Sequence, residues 1–398
     1  MLGVPRPTRF LDATPMQRRW EIDALRGLML VLMTLTHLPT RLTNPFGQPF
    51  GYVSAAEGFV LLSGYMAGLV YGRLAVEKGI DTMRRAFWRR ALLVYACHAA
   101  LLLFLFTVIA LIGIRVDEPA VKNLMSYYLQ HPRAALAGGL LLIYQPPLLD
   151  ILPMYVVFML LSPLAFPLAL QAGWGLVLAS SAMLWLLAQF GVAHWLYQVG
   201  AAITHMPVPY AEAGAFNSFA WQLIWIVGLW LGASRHQPSP PSLRLPASVI
   251  ALAAVVATVG LAWRHGVGQA PFGANEALNL WFDKWQLGPL RLLNLAALTV
   301  LLLRFGPWLA AHLPRMRVLE TLGSASLAVF CAHLVVVLLV LSLFGAELRR
   351  PWSVDLPLLA IALASLYAAG RLTLWFERRP PREPGPRGFR AWPRRKLP

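Results

Sequence analysis

Arg26 and His37 lie eleven residues apart in the apolar run Glu21 to Leu42, EIDALRGLMLVLMTLTHLPTRL. At about 100° per residue, eleven steps make three turns plus roughly 20°, so a helix carries both on one face, about 16 Å apart. Across a hydrocarbon core about 30 Å thick, that sets a guanidinium near one surface and an imidazole well inside. Glu57, in SAAEGFVLLSGYMAG, is a carboxylate within the next apolar run. That run returns antiparallel after a short connection, which brings Glu57 to a depth comparable with His37. A carboxylate beside an imidazole steadies its charged form and fixes its tautomer. A general base acting on a hydroxyl needs both. The alternative is structural: Arg26 snorkels to the surface, while His37 and Glu57 make a hydrogen-bonded packing pair.

Further residues suit a polar ligand. Asp150, in QPPLLDILPMY, is either an exposed helix-start anion or a sugar-binding carboxylate with Tyr155 as its aromatic neighbour. Trp221 and Gln222, in NSFAWQ, offer a flat apolar face beside an amide, a pairing that suits carbohydrate. The fifteen tryptophans equally suit an interfacial belt. Lys284 and Arg291 flank the start of another run, where they draw in an anionic acyl group or a charged glycan, or anchor to headgroups. His333, in SLAVFCAH, is a second intramembrane imidazole, read as structural ahead of catalytic. Gly64 and Gly68 share nearly one face with Glu57 and form either a packing seam or a slot for a thin ligand chain. No phosphate loop, H-E-x-x-H, paired CxxC or nucleophile elbow occurs, and nothing in the sequence points to a metal. Cys97 and Cys331 sit in apolar runs and read as core packers, not a disulfide.

The elements that hold these residues follow from composition. The chain is 58% hydrophobic and 13% charged, against about 25% charged in soluble domains. A water-soluble globule is excluded, and the fold class is an all-α polytopic membrane bundle, with the lipid bilayer as a partner. The net charge of +17 comes from basic residues that punctuate apolar runs. No aromatic–basic module accompanies them, so they read as topology determinants and an anion-attracting mouth, with no nucleic-acid partner. The first run lacks a small-residue cleavage site and reads as a retained helix.

About ten spans are expected, over residues 25–42, 53–71, 91–114, 148–168, 173–192, 218–233, 247–263, 290–309, 319–344 and 356–376. Residues 72–90 read as a strongly basic loop and 193–217 as an outer loop. The apolar piece 134–144 is too short to span and reads as an interfacial or re-entrant helix. Residues 1–20 form a basic lead, 21–376 the membrane domain, and 377–398 a Pro/Arg-rich tail expected to be disordered. With both termini cytoplasmic, most of the 34 Lys and Arg residues fall on that side, Arg349 and Arg350 being exceptions. There is no internal repeat of the inverted-topology kind.

The spacing of Arg26 and His37 resembles the R-x10-H signature of acyltransferase-3 type membrane acyltransferases. SAAEGFVLLSGYMAGLVYGR, LLDILPMYVVF, FNSFAWQLIWIVGLWLG, DKWQLGPLRLLNLAAL and TLGSASLAVFCAH are similar to phrases of the OpgC family, the osmoregulated periplasmic glucan succinyl-transfer proteins. They stand in family order over most of the chain. Ser54 replaces the family's usual Asp, and Ser218 its usual Pro.

The resemblance implies a multi-pass enzyme of the bacterial inner membrane. It would move an acyl group, succinyl above all, from a cytoplasmic acyl-CoA to hydroxyls of a periplasmic glucan, with no tightly bound cofactor. On that implication His37 is the catalytic histidine and Arg26 the motif arginine. The residues themselves suggest the other roles, with Glu57 steadying the imidazolium. Arg26, Arg73, Arg89 and Arg90 meet the CoA phosphates, and the pantetheine arm threads between the first two helices. Asp150, Tyr155, Trp221, Gln222, Lys284 and Arg291 face the substrates, and Tyr65 or Gln222 donates to the oxyanion. Direct transfer and an acyl-histidine route both stay open. The rivals are a transporter of acyl donor or glycan that uses the buried His/Glu pair as a proton relay, and a noncatalytic scaffold.

Overall fold

Helix α1, Trp20–His37, stops two residues short of Pro39. A proline disfavours helical geometry at the residue before it, and Leu38 is extended, with φ −74° and ψ 120°. The helix expected to reach Leu42 is therefore shorter, and His37 is its last residue instead of one midway along. Arg350 is buried and serves the carbonyls left at this end. Its Nη1 donates to Pro39 O at 2.7 Å, and its Nη2 to Gly345 O at 2.9 Å and to Phe344 O. This accounts for one of the two arginines that the charge bias left out of place.

The structure, a computed structural model, describes residues 19–236 and 245–378. The basic lead and the Pro/Arg-rich tail lie outside the described residues except at their inner edges. So does most of the Pro/Ser/Arg-rich turn after residue 235.

Helix α2, Ala55–Lys78, opens with a reciprocal cap: the Ser54 and Glu57 side chains satisfy each other's backbone N–H groups. Gly79, at φ 83°, reverses the chain in one residue into α3, Ile80–Phe104. A π-helical turn, Leu105–Ile109, and Ala110–Val116 extend α3 to 37 residues. The stretch expected as a basic loop is thus helical. At about 1.5 Å per residue the run exceeds the ~30 Å core, so its arginine-bearing turns extend beyond it.

A nine-residue helix, Pro132–Leu140, occupies the piece too short to span. Then follow α4, Ile151–Ala172, and α5, Trp174–Gln189. Helix α6, Val192–Thr204, is bent 78° from α5 and fills part of the expected outer loop. The rest are α7, Ser218–Ala233; α8, Ala247–Val267; α9, Pro289–His312; α10, Arg317–Ser324; α11, Ser326–Phe344; and α12, Trp352–Glu377. No strand occurs among the described residues. The protein is an all-α polytopic membrane protein.

Seven of these helices are long and apolar enough to cross a membrane, or eight with the bent α5–α6 pair counted as one span. The two further spans expected from the sequence fall short for physical reasons. Helix α1 carries Glu21, Asp23 and Arg26 within 18 residues, and α7 has only 16.

Lipid is as apolar as leucine, so helices associate here through close van der Waals contact between small residues. A Cβ added at Gly68 would lie 2.1 Å from Leu229 O, and one at Gly232 would lie 2.1 Å from Tyr65 O. Gly64 and Gly68 are therefore a seam against α7, with no room for a ligand chain. Gly27 and Gly323 bring α1 equally close to α10, with a Cβ at Gly27 falling 2.0 Å from Leu319 O. Locked in this way, α1 presents its polar residues to α11.

Candidate functional site

Helices α1 and α11 run side by side in the same direction. Arg26 Nη2 donates to Ser326 Oγ at the start of α11, and Arg26 Nη1 lies 3.8 Å from Asp23 Oδ1. Ser326 is available there because the chain breaks between α10 and α11 at Ala325, with φ −105° and ψ 32°. Eleven residues beyond Arg26, His37 Nδ1 meets His333 Nε2 at 3.1 Å. The ring centroids are 5.2 Å apart at an interplanar angle of 25°. His333 is fully buried and His37 half-buried. One nitrogen of the contact must carry the hydrogen. When it is His37 Nδ1, His37 Nε2 keeps its lone pair and has no protein partner among the described residues.

Two cavities approach this pair. The larger, about 630 Å³, is lined by His37, Thr36, Ser54, Gln145, Asp150, Glu212, Lys284 and Trp285, among others. The smaller, about 270 Å³, lies on the side where α2 ends and α3 begins, and is lined by Arg26, Arg90, Ser63, Tyr155 and Ser326, among others. Phe330 and Ile151 line both. The imidazole therefore faces the larger cavity, the two basic side chains face the smaller, and a thin apolar wall separates them.

Charges in the larger cavity are shaped by burial. Asp150 sits just ahead of α4 with Oδ2 accepting from Ala215 N–H at 3.3 Å. Burial pushes its carboxyl up to about 6, against the pull of that N–H and of Lys284. Burial holds the Lys284 amine below its ordinary value, with Glu57 and Asp150 acting the other way and Arg291 reinforcing it. Lys284 Nζ stands 4.6 Å from the Trp285 ring centroid and 5.9 Å from that of Phe216, a cation–π seat.

The sequence-derived candidates divide clearly. Arg26, Arg90 and Tyr155 share the smaller cavity; His37, Asp150 and Lys284 share the larger. Asp150 and Tyr155, expected together at one rim, face different cavities. Arg73 pairs with Glu77 at 2.5 Å, and Arg89 is exposed; neither lines a cavity described above. Glu57 does not bond to His37. Its Oε1 accepts from Arg291 Nε, and its Oε2 accepts from Ser54 N–H and Oγ. The carboxylate is consumed by a cap and a buried ion pair. Arg291 is engaged with it, Nη1 also donating to Phe282 O at 3.2 Å, while its buried Nη2 has no hydrogen-bond partner among the described residues.

Trp221 is fully buried, its Nε1 donating to Trp285 O at 3.1 Å. Gln222 spends its amide on Ser181 and Phe219 carbonyls and accepts from Ser181 Oγ at 2.6 Å. Neither presents a face to ligand. Tyr65 lines a separate apolar groove, away from His37.

The sequence places His333 as structural ahead of catalytic and does not single out Ser326, Gln145, Glu212 or Trp285; the structure sets His333 against His37. Ser326 and His333 are seven residues apart, two helical turns, so both face the Arg26–His37 side of α1. Seven residues and eleven both come close to whole turns, two and three, and that shared phase is the available signal. Gln145 and Glu212 come together through loop geometry, with Gln145 N–H donating to Glu212 O at 2.9 Å, and no periodicity announces it.

The family model described as OpgC protein matches residues 18–378, and the chain belongs to that family. No curated protein and no solved structure matches it.

Proposed function

We propose that this OpgC family member is a transmembrane O-acyltransferase that moves an acyl group from a cytoplasmic acyl-CoA to a hydroxyl of a periplasmic glucan. One observation carries the reading: a basic cavity and a polar, aromatic cavity approach each other beside a histidine pair. Family membership supports the acyl transfer, and succinyl-CoA is the donor that the family resemblance implies. The positive-inside bias supports a cytoplasmic setting for the end of the bundle bearing Arg26, Arg84, Arg85, Arg89 and Arg90, in an inner membrane crossed about ten times.

The donor enters the smaller cavity, where Arg26 and Arg90 meet its phosphates as charge-assisted partners. The glucan enters the larger cavity, where Asp150, Gln145 and Glu212 offer acceptors and Trp285 an aromatic neighbour. His37 Nε2 takes the proton of a sugar hydroxyl while that oxygen attacks the thioester carbonyl. A C–O bond forms, the C–S bond breaks, and the leaving thiolate recovers the proton from the imidazolium. His333 acts as a positioning residue: by engaging Nδ1 it aims Nε2 at the hydroxyl, the task first assigned to Glu57.

The test is reconstitution in liposomes with acyl-CoA and glucan. His37→Ala abolishes both CoA release and glucan acylation, a loss of about 10²- to 10⁴-fold for a general base. Acylation at the wild-type rate in a folded His37→Ala protein sinks the reading. Glycan movement without CoA release would favour a transporter instead.

A further inference from the structure

The smaller cavity does not reach His37. It ends at Phe330 and Ile151, the two residues that line both cavities. Phe330 is 3% exposed and lies on α11 one turn before His333. Its ring is 5.4 Å from that of His333 and 6.2 Å from that of Phe59, nearly parallel to the latter at 18°. Ile151 is β-branched, stiff at χ1, and fixed in the first turn of α4. Phe330 has no branch at Cβ, and it stands next to the histidine pair.

We propose that Phe330 is the gate between the two cavities, the side chain that an acyl group must displace to reach His37. This uses the acyltransferase reading for what passes, but the barrier itself rests on the geometry alone. An apolar constriction between two polar chambers excludes water and ions when closed. A passage open at both ends would discharge the membrane through the site. The same ring sets a steric limit on the acyl group, since only its leading end must pass.

The barrier is tested without catalysis. In a Cys97→Ala, Cys331→Ala background, Ala56→Cys puts a thiol on the wall of the larger cavity. A membrane-impermeant anionic methanethiosulfonate is applied to each face of oriented vesicles. The thiol reacts from the larger-cavity face and stays unlabelled from the arginine-rich face. Adding Phe330→Ala raises labelling from the arginine-rich face by about tenfold or more, equivalent to about 1.36 kcal/mol of barrier. Phe330→Leu, a smaller apolar plug, gives an intermediate rate and stands in should the alanine variant not fold.

Labelling from the arginine-rich face in the parent that keeps Phe330, or none in either Phe330 variant, overturns the proposal. With acyl-CoA and glucan, Phe330→Ala also shifts the preference toward bulkier acyl chains. If the labelling behaves as described but no variant, wild type included, releases CoA, the gate stands and the acyltransferase reading falls.

Discussion

His37 Nδ1 and His333 Nε2 lie 3.1 Å apart across parallel helices, so one ring of the pair is committed to orienting the other. His333 is fully buried and lines neither cavity, whereas His37 faces the larger one. On the proposed mechanism the two rings divide the labour: one imidazole would meet substrate and the other would set its tautomer, as the outer partner of a metal-bound histidine does.

Replacing His333 by Ala should lower kcat by about 10- to 100-fold, the range for loss of an orienting partner, with KM for both substrates little changed. His333→Gln restores an amide able to accept from Nδ1–H and should recover part of the rate. The pH dependence of kcat/KM moves with it, because the titrating ring has lost its neighbour. A purely structural His333 would lower folded yield and leave the pH profile of the surviving enzyme in place.

Glu57 and Arg291 form a buried ion pair, at 0% and 1% exposure. Removing one partner leaves an uncompensated charge, at a cost of about 3–5 kcal/mol. Glu57→Ala and Arg291→Ala should each depress thermal stability strongly, and the double variant should be more stable than the sum of the two losses implies. Thermal unfolding of the four proteins in one detergent closes the cycle. If Glu57→Gln instead abolishes acylation with stability intact, the carboxylate acts on the reaction and its pairing with Arg291 is secondary.

Lys284 faces the larger cavity beside His37 and pairs with aromatic rings instead of a carboxylate. A dicarboxylic acyl group would supply the missing anion just past the transfer point. Lys284→Met should then cut kcat/KM for succinyl-CoA by roughly 10- to 150-fold, the value of a hydrogen bond to a charged group at about 1.5–3 kcal/mol. The uncharged butyryl-CoA should be nearly unaffected. Equal losses for both donors would assign Lys284 to the glucan.

How far these features were readable depends on their physical origin. Helix positions follow from runs of apolar residues, which lipid enforces at every step, so each of the ten expected runs overlaps a helix, but only seven or eight are long and apolar enough to cross, and the run 319–344 is broken at Ala325. Arg26 and His37 were placed on one face by periodicity, and both do meet α11. The ends were less legible: Pro39 stops α1 at His37, and Gly79 turns a presumed loop into a one-residue reversal. Partner choice was least legible of all. Glu57 and His37 sit at similar chain depth, but which buried charge Glu57 meets is decided by the approach of α9, a long-range matter with no local signature. Trp221 and Gln222 have the side chains of a sugar site and serve helix packing instead. Residue type does not reveal which way a side chain faces.

Asp150 supplies a pH signature that separates stability from catalysis. Its carboxyl, ordinarily near 3.8, is raised to about 6 by burial. The folded protein therefore holds this proton more tightly than the unfolded chain does. Below about pH 4 both forms are protonated and the group's full contribution is present. As pH rises toward 6 the native state binds more protons than the unfolded one, so stability falls. Above about pH 6 the loss is complete, about 3 kcal/mol at about 1.36 kcal/mol per unit. Asp150→Asn cannot ionise but can still accept from Ala215 N–H, so it should flatten the decline in Tm across that window. Its KM for glucan at neutral pH should rise, because the anionic acceptor for a sugar hydroxyl is gone, while kcat changes less. Parallel Tm-versus-pH curves for the two proteins would show that the carboxylate is hydrated, and would remove Asp150 from the buried wall of the acceptor cavity.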